Sequence, residues 1–226
     1  MVNRIINKSP EANLGPKTKN QKEIVRSILS NDITLVHGPA GTAKTSITVN
    51  TLLDLLSSKE IRKIVVVRLI ADTFDEHLGA LPGECGDKLM PFLGPILDAL
   101  SLIRTHSQIQ RLIELKQIEV IPVSHVRGRS FNDCGIIVEE AQNCSPAMLL
   151  ACLTRIGQRS KLVLTGDENQ ADFTHKRPEG ISYAKYILEG IDRAGIIELG
   201  LDDIVRNDII KSILRKHDMY MQERIV

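Results

Sequence analysis

The sequence predicts an α/β fold: one domain with a mostly parallel sheet and helices on both faces. Three observations carry this. Short apolar runs alternate with segments of helical periodicity along most of the chain. One run, Val65-Val66-Val67, is continuous and β-branched, the pattern of a strand buried on both faces. Another, Ile33 to Val36, enters a glycine-bearing loop that opens directly into a helix.

The elements follow in order. Residues 1–18 carry Pro10, Gly15 and Pro16 without periodicity and read as an extended arm. Asn20 is expected to cap a helix from Gln21 to Leu29, whose Ile24, Val25, Ile28 and Leu29 share one face. After the first strand, Lys44 to Leu56 is amphipathic. The stretch 73–95, with Gly79, Pro82, Gly83, Gly86, Pro91 and Gly94, reads as a loop-rich insertion within a domain spanning 19–226. Two short helices are expected at Ile96 to Ile103 and Ile109 to Leu115. Ile118 to Val123, Gly135 to Val138 and Lys161 to Thr165 are strands. Ser145 caps a helix that begins with Pro146. A helix from Ile181 to Ile191, a strand from Ile196 to Leu199 and a helix from Ile204 to His217 complete the pattern, with Asp202-Asp203 as the cap of that last helix.

Composition narrows the function classes. With 42% hydrophobic and 25% charged residues the chain reads as an ordinary globular protein able to bury a large core. Aromatics make up only 3%, which argues against a base-stacking platform, and a net charge of +1 leaves no global basic footprint for nucleic acid. Cys85, Cys134, Cys144 and Cys152 lack metal-ligand spacing and read as small core fillers. With no apolar leader and no long apolar run, a cytoplasmic location and no membrane contact are expected.

The chemistry concentrates in three segments. Gly38-Pro39-Ala40-Gly41-Thr42-Ala43-Lys44-Thr45 is one residue from the phosphate-binding pattern G-x-x-x-x-G-K-[ST], with Ala43 in place of glycine. In that pattern the backbone from Gly38 through Ser46 cradles phosphates, Lys44 reaches the outer ones and the Thr45 hydroxyl ligates Mg2+. The second segment, Ile136-Ile137-Val138-Glu139-Glu140, delivers two acids at a strand end. In nucleotide hydrolases the first such acid, usually Asp, supports the metal and the second polarises the attacking water. Taken alone, the pair is equally a solvated loop. In the third, Thr165-Gly166-Asp167-Glu168-Asn169-Gln170, the Gln170 amide both donates and accepts, suiting a γ-phosphate sensor or a plain polar loop residue. Gln21, about seventeen residues before the loop, has an amide able to pair with an adenine edge. On an isolated helix such a residue is more often merely exposed.

These motifs, with Leu78-Gly79-Ala80-Leu81-Pro82-Gly83, Arg127-Gly128-Arg129-Ser130, Gln142-Asn143, Thr154-Arg155-Ile156-Gly157 and Asp203-Ile204-Val205-Arg206, resemble the PhoH family of P-loop ATPases from about Lys19 to Lys211. More distantly they resemble the ATPase half of superfamily-one helicases. The resemblance implies a RecA-like domain using ATP and Mg2+, with Lys44, Glu140 and Gln170 catalytic, Thr45 and Glu139 at the metal, and coupling to RNA or single-stranded DNA. The family has Gly at Ala43, Asp at Glu139 and Thr at Ser130. Ala43 is expected in the first helical turn at negative φ, and Gly41 at positive φ or in close backbone approach.

Phosphoryl transfer gains about 10³–10⁵-fold from an arginine that neutralises transition-state charge, for which Arg127, Arg129 and Arg206 are candidates. A second lobe is not expected in a chain of 226 residues, so a neighbouring subunit is expected to supply that arginine in a ring or other head-to-tail oligomer, and the resemblance implies a hexamer. His37 reads as packed or locally hydrogen-bonded. Lys211, Arg215 and Lys216 read as a solvated face or as phosphate-backbone contacts. Two other functions stay open: a nucleotide-dependent binding module with vestigial turnover, and a small-molecule kinase, the latter weakened by the lack of an arginine-rich lid.

Overall fold

A computed structural model describes residues 15–69, 94–170 and 179–222. Most of the expected arm and insertion, including the leucine-proline-glycine segment and Cys85, lies outside them. The elements are α1 (Lys19–Ser30), β1 (Ile33–His37), α2 (Lys44–Ser57), β2 (Lys63–Arg68), α3 (Gly94–Ser101), α4 (His106–Glu114), β3 (Ile118–Pro122), β4 (Cys134–Val138), α5 (Pro146–Leu153), β5 (Lys161–Gly166), α6 (Gly180–Leu188), β6 (Ala194–Glu198) and α7 (Asp208–Gln222). Short 3₁₀ turns occupy Val123–Val126, Ala141–Asn143, Glu168–Gln170 and Leu201–Asp203.

The six strands form one sheet in the order β3-β2-β4-β5-β1-β6, and every pairing is parallel. Alternate residues of each strand feed opposite cores. Val36, Ile64, Val66, Ile137 and Val163 pack under α1 to α4. Leu35, Val65, Val67, Ile136, Val138, Leu162 and Leu164 face α5 and α6. This two-sided burial is why the strands read as continuous apolar runs. Ile137 is wholly buried near the middle of the sheet, and its truncation to alanine costs about 2–5 kcal/mol.

Two expectations about helix ends are corrected. α1 is capped by Thr18, whose hydroxyl accepts from Gln21 N while the Gln21 side chain accepts from Thr18 N. This reciprocal box outcompetes Asn20, which lies inside the helix. The last helix begins at Asp208 instead of Ile204, because Val205 N donates to Gly41 O (3.1 Å) and holds 204–206 against the loop. Asp203 therefore does not cap it. The Asn207 side chain does, accepting from Ile209 N at 3.0 Å. Ser145 caps α5 as expected, with Pro146 at its first position. Cys134, Cys144 and Cys152 are buried, as core fillers should be, and burial pushes the Cys144 thiol up to about 12.

Candidate functional site

Three strands that are neighbours in the sheet, β4, β5 and β1, deliver the three chemical segments to one edge, at their C-terminal ends. Ligands of open α/β sheets bind at that edge. Beyond β1 the chain turns through Gly38 (φ 144°) and Gly41 (φ 83°). A Cβ on Gly38 would stand 2.4 Å from Leu199 O, so the close approach of the β6 exit admits only glycine. Gly41 has the positive φ expected of it.

Ala43 does not have the expected negative φ. It sits at φ 63° and ψ 25° as the residue preceding α2, in the left-handed region, and provides no side-chain cap. The turn from loop to helix needs this conformation, which explains why the general pattern places glycine there. Lys44 folds back over the loop, donating to Gly38 O at 2.6 Å and Pro39 O at 2.9 Å. Thr42 Oγ1 also donates to Pro39 O (2.8 Å). Burial lowers the Lys44 pKa, opposed by the carboxylates of Asp167 and Glu140. The loop's cation thus faces the acids of β4 and β5.

Glu139 is buried, and burial raises its pKa against the opposing effects of Arg68 and the Thr45 side chain. Its Oε2 has no hydrogen-bond partner among the described residues, and Arg68 Nε stands 3.9 Å away. Glu140 is exposed and held in the left-handed region at φ 53°. Its carboxylate accepts from Gln142 Nε2 at 2.5 Å, and Gln142 Oε1 accepts from Asp167 N at 3.1 Å. Buried Gln142 therefore bridges the ends of β4 and β5 and orients the second acid. Its place after two acids was visible in the sequence, but its role was not. Gln170 is exposed in the turn after β5, with its backbone N bonded to Asp167 O.

Gln21 is far from the exposed helical residue an isolated reading allows. It is buried and its amide is saturated: Nε2 donates to Thr42 O (3.1 Å) and Asp203 O (3.0 Å), while Oε1 accepts from Lys17 N and Thr18 N. The Asp203 carboxylate, also buried, accepts from Thr18 Oγ1, Asn20 Nδ2 and Gly200 N. This hub ties the start of α1 to the phosphate loop and to the segment bearing Arg206. Arg206 is exposed and, with Gly41 to Ile47, Lys17, Gln21 and one face of α3, lines a cleft of about 430 Å3. The α3 wall was not foreseen.

Arg129 lies elsewhere. It makes a bidentate pair with Glu119 (3.1 and 3.2 Å), which Lys63 also contacts, and stacks on Phe131 at 4.9 Å. Glu119 is on β3, four strand steps from β1, or about 19 Å at ordinary strand spacing. Arg127 is exposed nearby. His37 is packed at the end of β1, and its Nε2 has no partner among the described residues. Among the described residues no cluster of three or more His, Cys, Asp or Glu gathers for a metal, and no helix is long and apolar enough to cross a membrane.

The family model described as "PhoH-like protein" matches residues 13–218. A PhoH-like protein of Bacillus subtilis is 38% identical over 202 residues, covering 89% of this chain and 63% of the relative. Protein PhoH of Escherichia coli is 30% identical over 199 residues, covering 87% of this chain and 56% of the relative. The chain therefore spans about three fifths of the length of these relatives. The Pif1 helicase of Candida albicans aligns at a TM-score of 0.40 and 15% identity, over 81% of this chain and 40% of that one. The fold assignment rests on the sheet order above.

Proposed function

The chain belongs to the PhoH-like family of P-loop nucleotide-binding proteins, and from that premise we propose that it binds ATP with Mg2+ and hydrolyses the β–γ bond. One observation carries the reading: Lys44 and Thr45 from beyond β1 and Glu139, Glu140 and Gln142 from beyond β4 meet across the end of β5, whose Asp167 N donates to Gln142.

Lys44 exchanges the carbonyls of Gly38 and Pro39 for phosphate oxygens, a trade of neutral for charged acceptors that favours binding. The donor set at the metal position suits a hard cation: a buried carboxylate oxygen without a hydrogen-bond partner among the described residues, beside a hydroxyl, the oxygen-only chemistry Mg2+ takes alongside phosphates. Thr45 and Glu139 would hold the ion, which when bound would neutralise phosphate charge. Glu140, steered by Gln142, accepts the proton of the attacking water. Gln170 is suited to orient that water or sense the γ-phosphate. Arg206, in the same cleft, supplies cationic charge from within the chain.

Coupling to RNA or single-stranded DNA and assembly into a hexameric ring belong to the same proposal, as the sequence resemblance implies. Exposed Ile209 and Ile213 on α7, next to Arg206, support a second subunit packing beside the cleft. Arg129 serves a neighbour only by leaving Glu119, whereas Arg127 faces solvent. A second reading, a nucleotide-gated binding module with weak turnover, is favoured by the left-handed Ala43 and the longer Glu139 side chain. Phosphate release from ATP, with and without RNA, tests both. Turnover lost in both Lys44→Ala and Glu140→Gln supports hydrolysis. ATP binding with no phosphate release supports the module. Light scattering checks the ring, and a fully active monomer would refute an arginine in trans.

A further inference from the structure

The cleft has a wall that neither the motifs nor the proposed chemistry uses. Pro95, Asp98 and Ala99 of α3, with Leu102 in the turn that follows, line it at spacings of three, four and seven residues, so one helical face does so continuously. Gly15, Lys17 and Gln21 line the same cleft, and the phosphate loop and first turn of α2 complete it. The Gln21 amide has no free donor or acceptor with which to read a ligand. Recognition at this end therefore falls to α3.

Two α3-side residues are built for it. Asp98 is exposed to the cleft, and its carboxylate forms no ion pair or hydrogen bond among the described residues. Leu102 is a large apolar side chain left 52% exposed. Resting on the proposed nucleotide binding, we infer that α3 forms the nucleoside subsite: Asp98 accepts hydrogen bonds from the ribose 2′- and 3′-hydroxyls, and Leu102 packs against the base.

Electrostatics sets the direction of the ligand. A triphosphate against Asp98 would meet a like charge, so the phosphates belong with Lys44 and Arg206. The uncharged end of the ligand then faces Asp98. A carboxylate only accepts hydrogen bonds, and its two oxygens match the two adjacent donors of a ribose diol. Leu102 follows four residues on, in the turn that ends α3, and lines the same cleft, where it is placed to meet the base of a ribose held by Asp98. An apolar face there favours a nucleoside over a bare triphosphate without reading hydrogen-bonding edges.

Isothermal titration of the full chain with ATP, 2′-deoxy-ATP and inorganic triphosphate tests this. The native chain is expected to bind ATP about tenfold or more tightly than 2′-deoxy-ATP, the worth of one hydrogen bond to a charged group. Asp98→Ala should weaken ATP by at least as much and make the two nucleotides bind equally, leaving triphosphate unchanged. Leu102→Ala should weaken both nucleotides alike and keep their ratio. Lys44→Ala should weaken all three ligands. If Lys44→Ala leaves ATP affinity unchanged, the nucleotide reading and this subsite fall together. If Lys44→Ala removes binding but Asp98→Ala preserves the ATP to 2′-deoxy-ATP ratio, the nucleotide reading stands and the subsite is refuted. Asp98 is exposed, so the substituted chain should keep its melting temperature, which a thermal scan verifies.

Discussion

Replacing Ala43 with glycine should stabilise the protein, against the usual trend for glycine substitutions. Ala43 holds φ 63° and ψ 25° with its methyl group in place. The left-handed conformation costs a residue bearing a Cβ about 1–2 kcal/mol, which glycine escapes. Glycine also loosens the unfolded chain, at a cost of about 0.4–1 kcal/mol. The difference leaves a gain of about 0.5–1 kcal/mol, equivalent to about 1–4 °C in melting temperature for a chain of this size. Ala40→Gly is the internal control. Ala40 is not among the positive-φ residues, so glycine there brings only the entropic cost and should destabilise by about 0.5–1 kcal/mol. Urea unfolding of the three proteins, cross-checked by thermal melts, reads both signs. If Ala43→Gly destabilises as Ala40→Gly does, the strain assigned to this turn is absent. Removing the methyl also clears space beside the phosphates, so phosphate release by Ala43→Gly should rise, and Glu139→Asp should add to it. A rate unmoved by either substitution would remove the loop departures as causes of slow turnover.

Gln21→Leu should destabilise the fold by about 2–4 kcal/mol in urea, because it orphans the carbonyls of Thr42 and Asp203. Were Gln21 solely a base contact, stability would hold and only the KM for ATP would rise. Gly38→Ala should destabilise by at least about 1–3 kcal/mol, since φ 144° and Leu199 O both exclude a Cβ; Gly200→Ala, with open space around it, should be near neutral in the same denaturation series. Burial alone would raise the Glu119 pKa, but Arg129 and Lys63 outweigh it and hold the folded value below 4.5. Its stabilisation is therefore fully present above pH 4.5 and lost as the pH falls through the folded pKa. Glu119→Gln should accordingly be less stable than the native chain at pH 7 and converge on it at acid pH; a difference that widens on acidification would overturn the sign.

The strands were legible because burial on both faces writes continuous apolar runs, and each observed strand lies within two residues of its expected bounds. Helix ends were less legible because capping depends on partners several residues away. Thr18 and Asn20 are both good caps, and only Gln21 at the third helical position decides between them. The start of α7 depended on a contact with no local signal, Val205 N to Gly41 O. At the site, the charged and glycine positions were readable because few chemistries need them at those spacings. Ala43 was misplaced because the sequence shows a helix former, while the loop-to-helix turn requires a left-handed residue whatever its identity. The bridge made by Gln142 and the α3 wall of the cleft carried no local sign: an amide beside two acids looks like a loop residue, and Asp98 among apolar neighbours looks like the wet side of an amphipathic helix.

The hub around Asp203 settles how the two ends of the cleft depend on each other. For Gln21 to turn its amide to a base, it must release two buried backbone carbonyls, each costing about 1–3 kcal/mol when left unpaired. A new hydrogen bond to the base returns only about 0.5–1.5 kcal/mol net, so the exchange runs uphill. Gln21 accordingly serves the site by holding Thr42 of the loop to Asp203, three residues before Arg206. Val205 N bonded to Gly41 O closes the same circuit from the other side. Arg206 is thus positioned through the start of α1, and weakening that start should displace it relative to Lys44 and the loop. The chain can therefore depart from the general phosphate-binding pattern at Ala43 and keep its loop in register, because Gln21 to Thr42 O and Val205 N to Gly41 O hold the loop on either side without passing through residue 43.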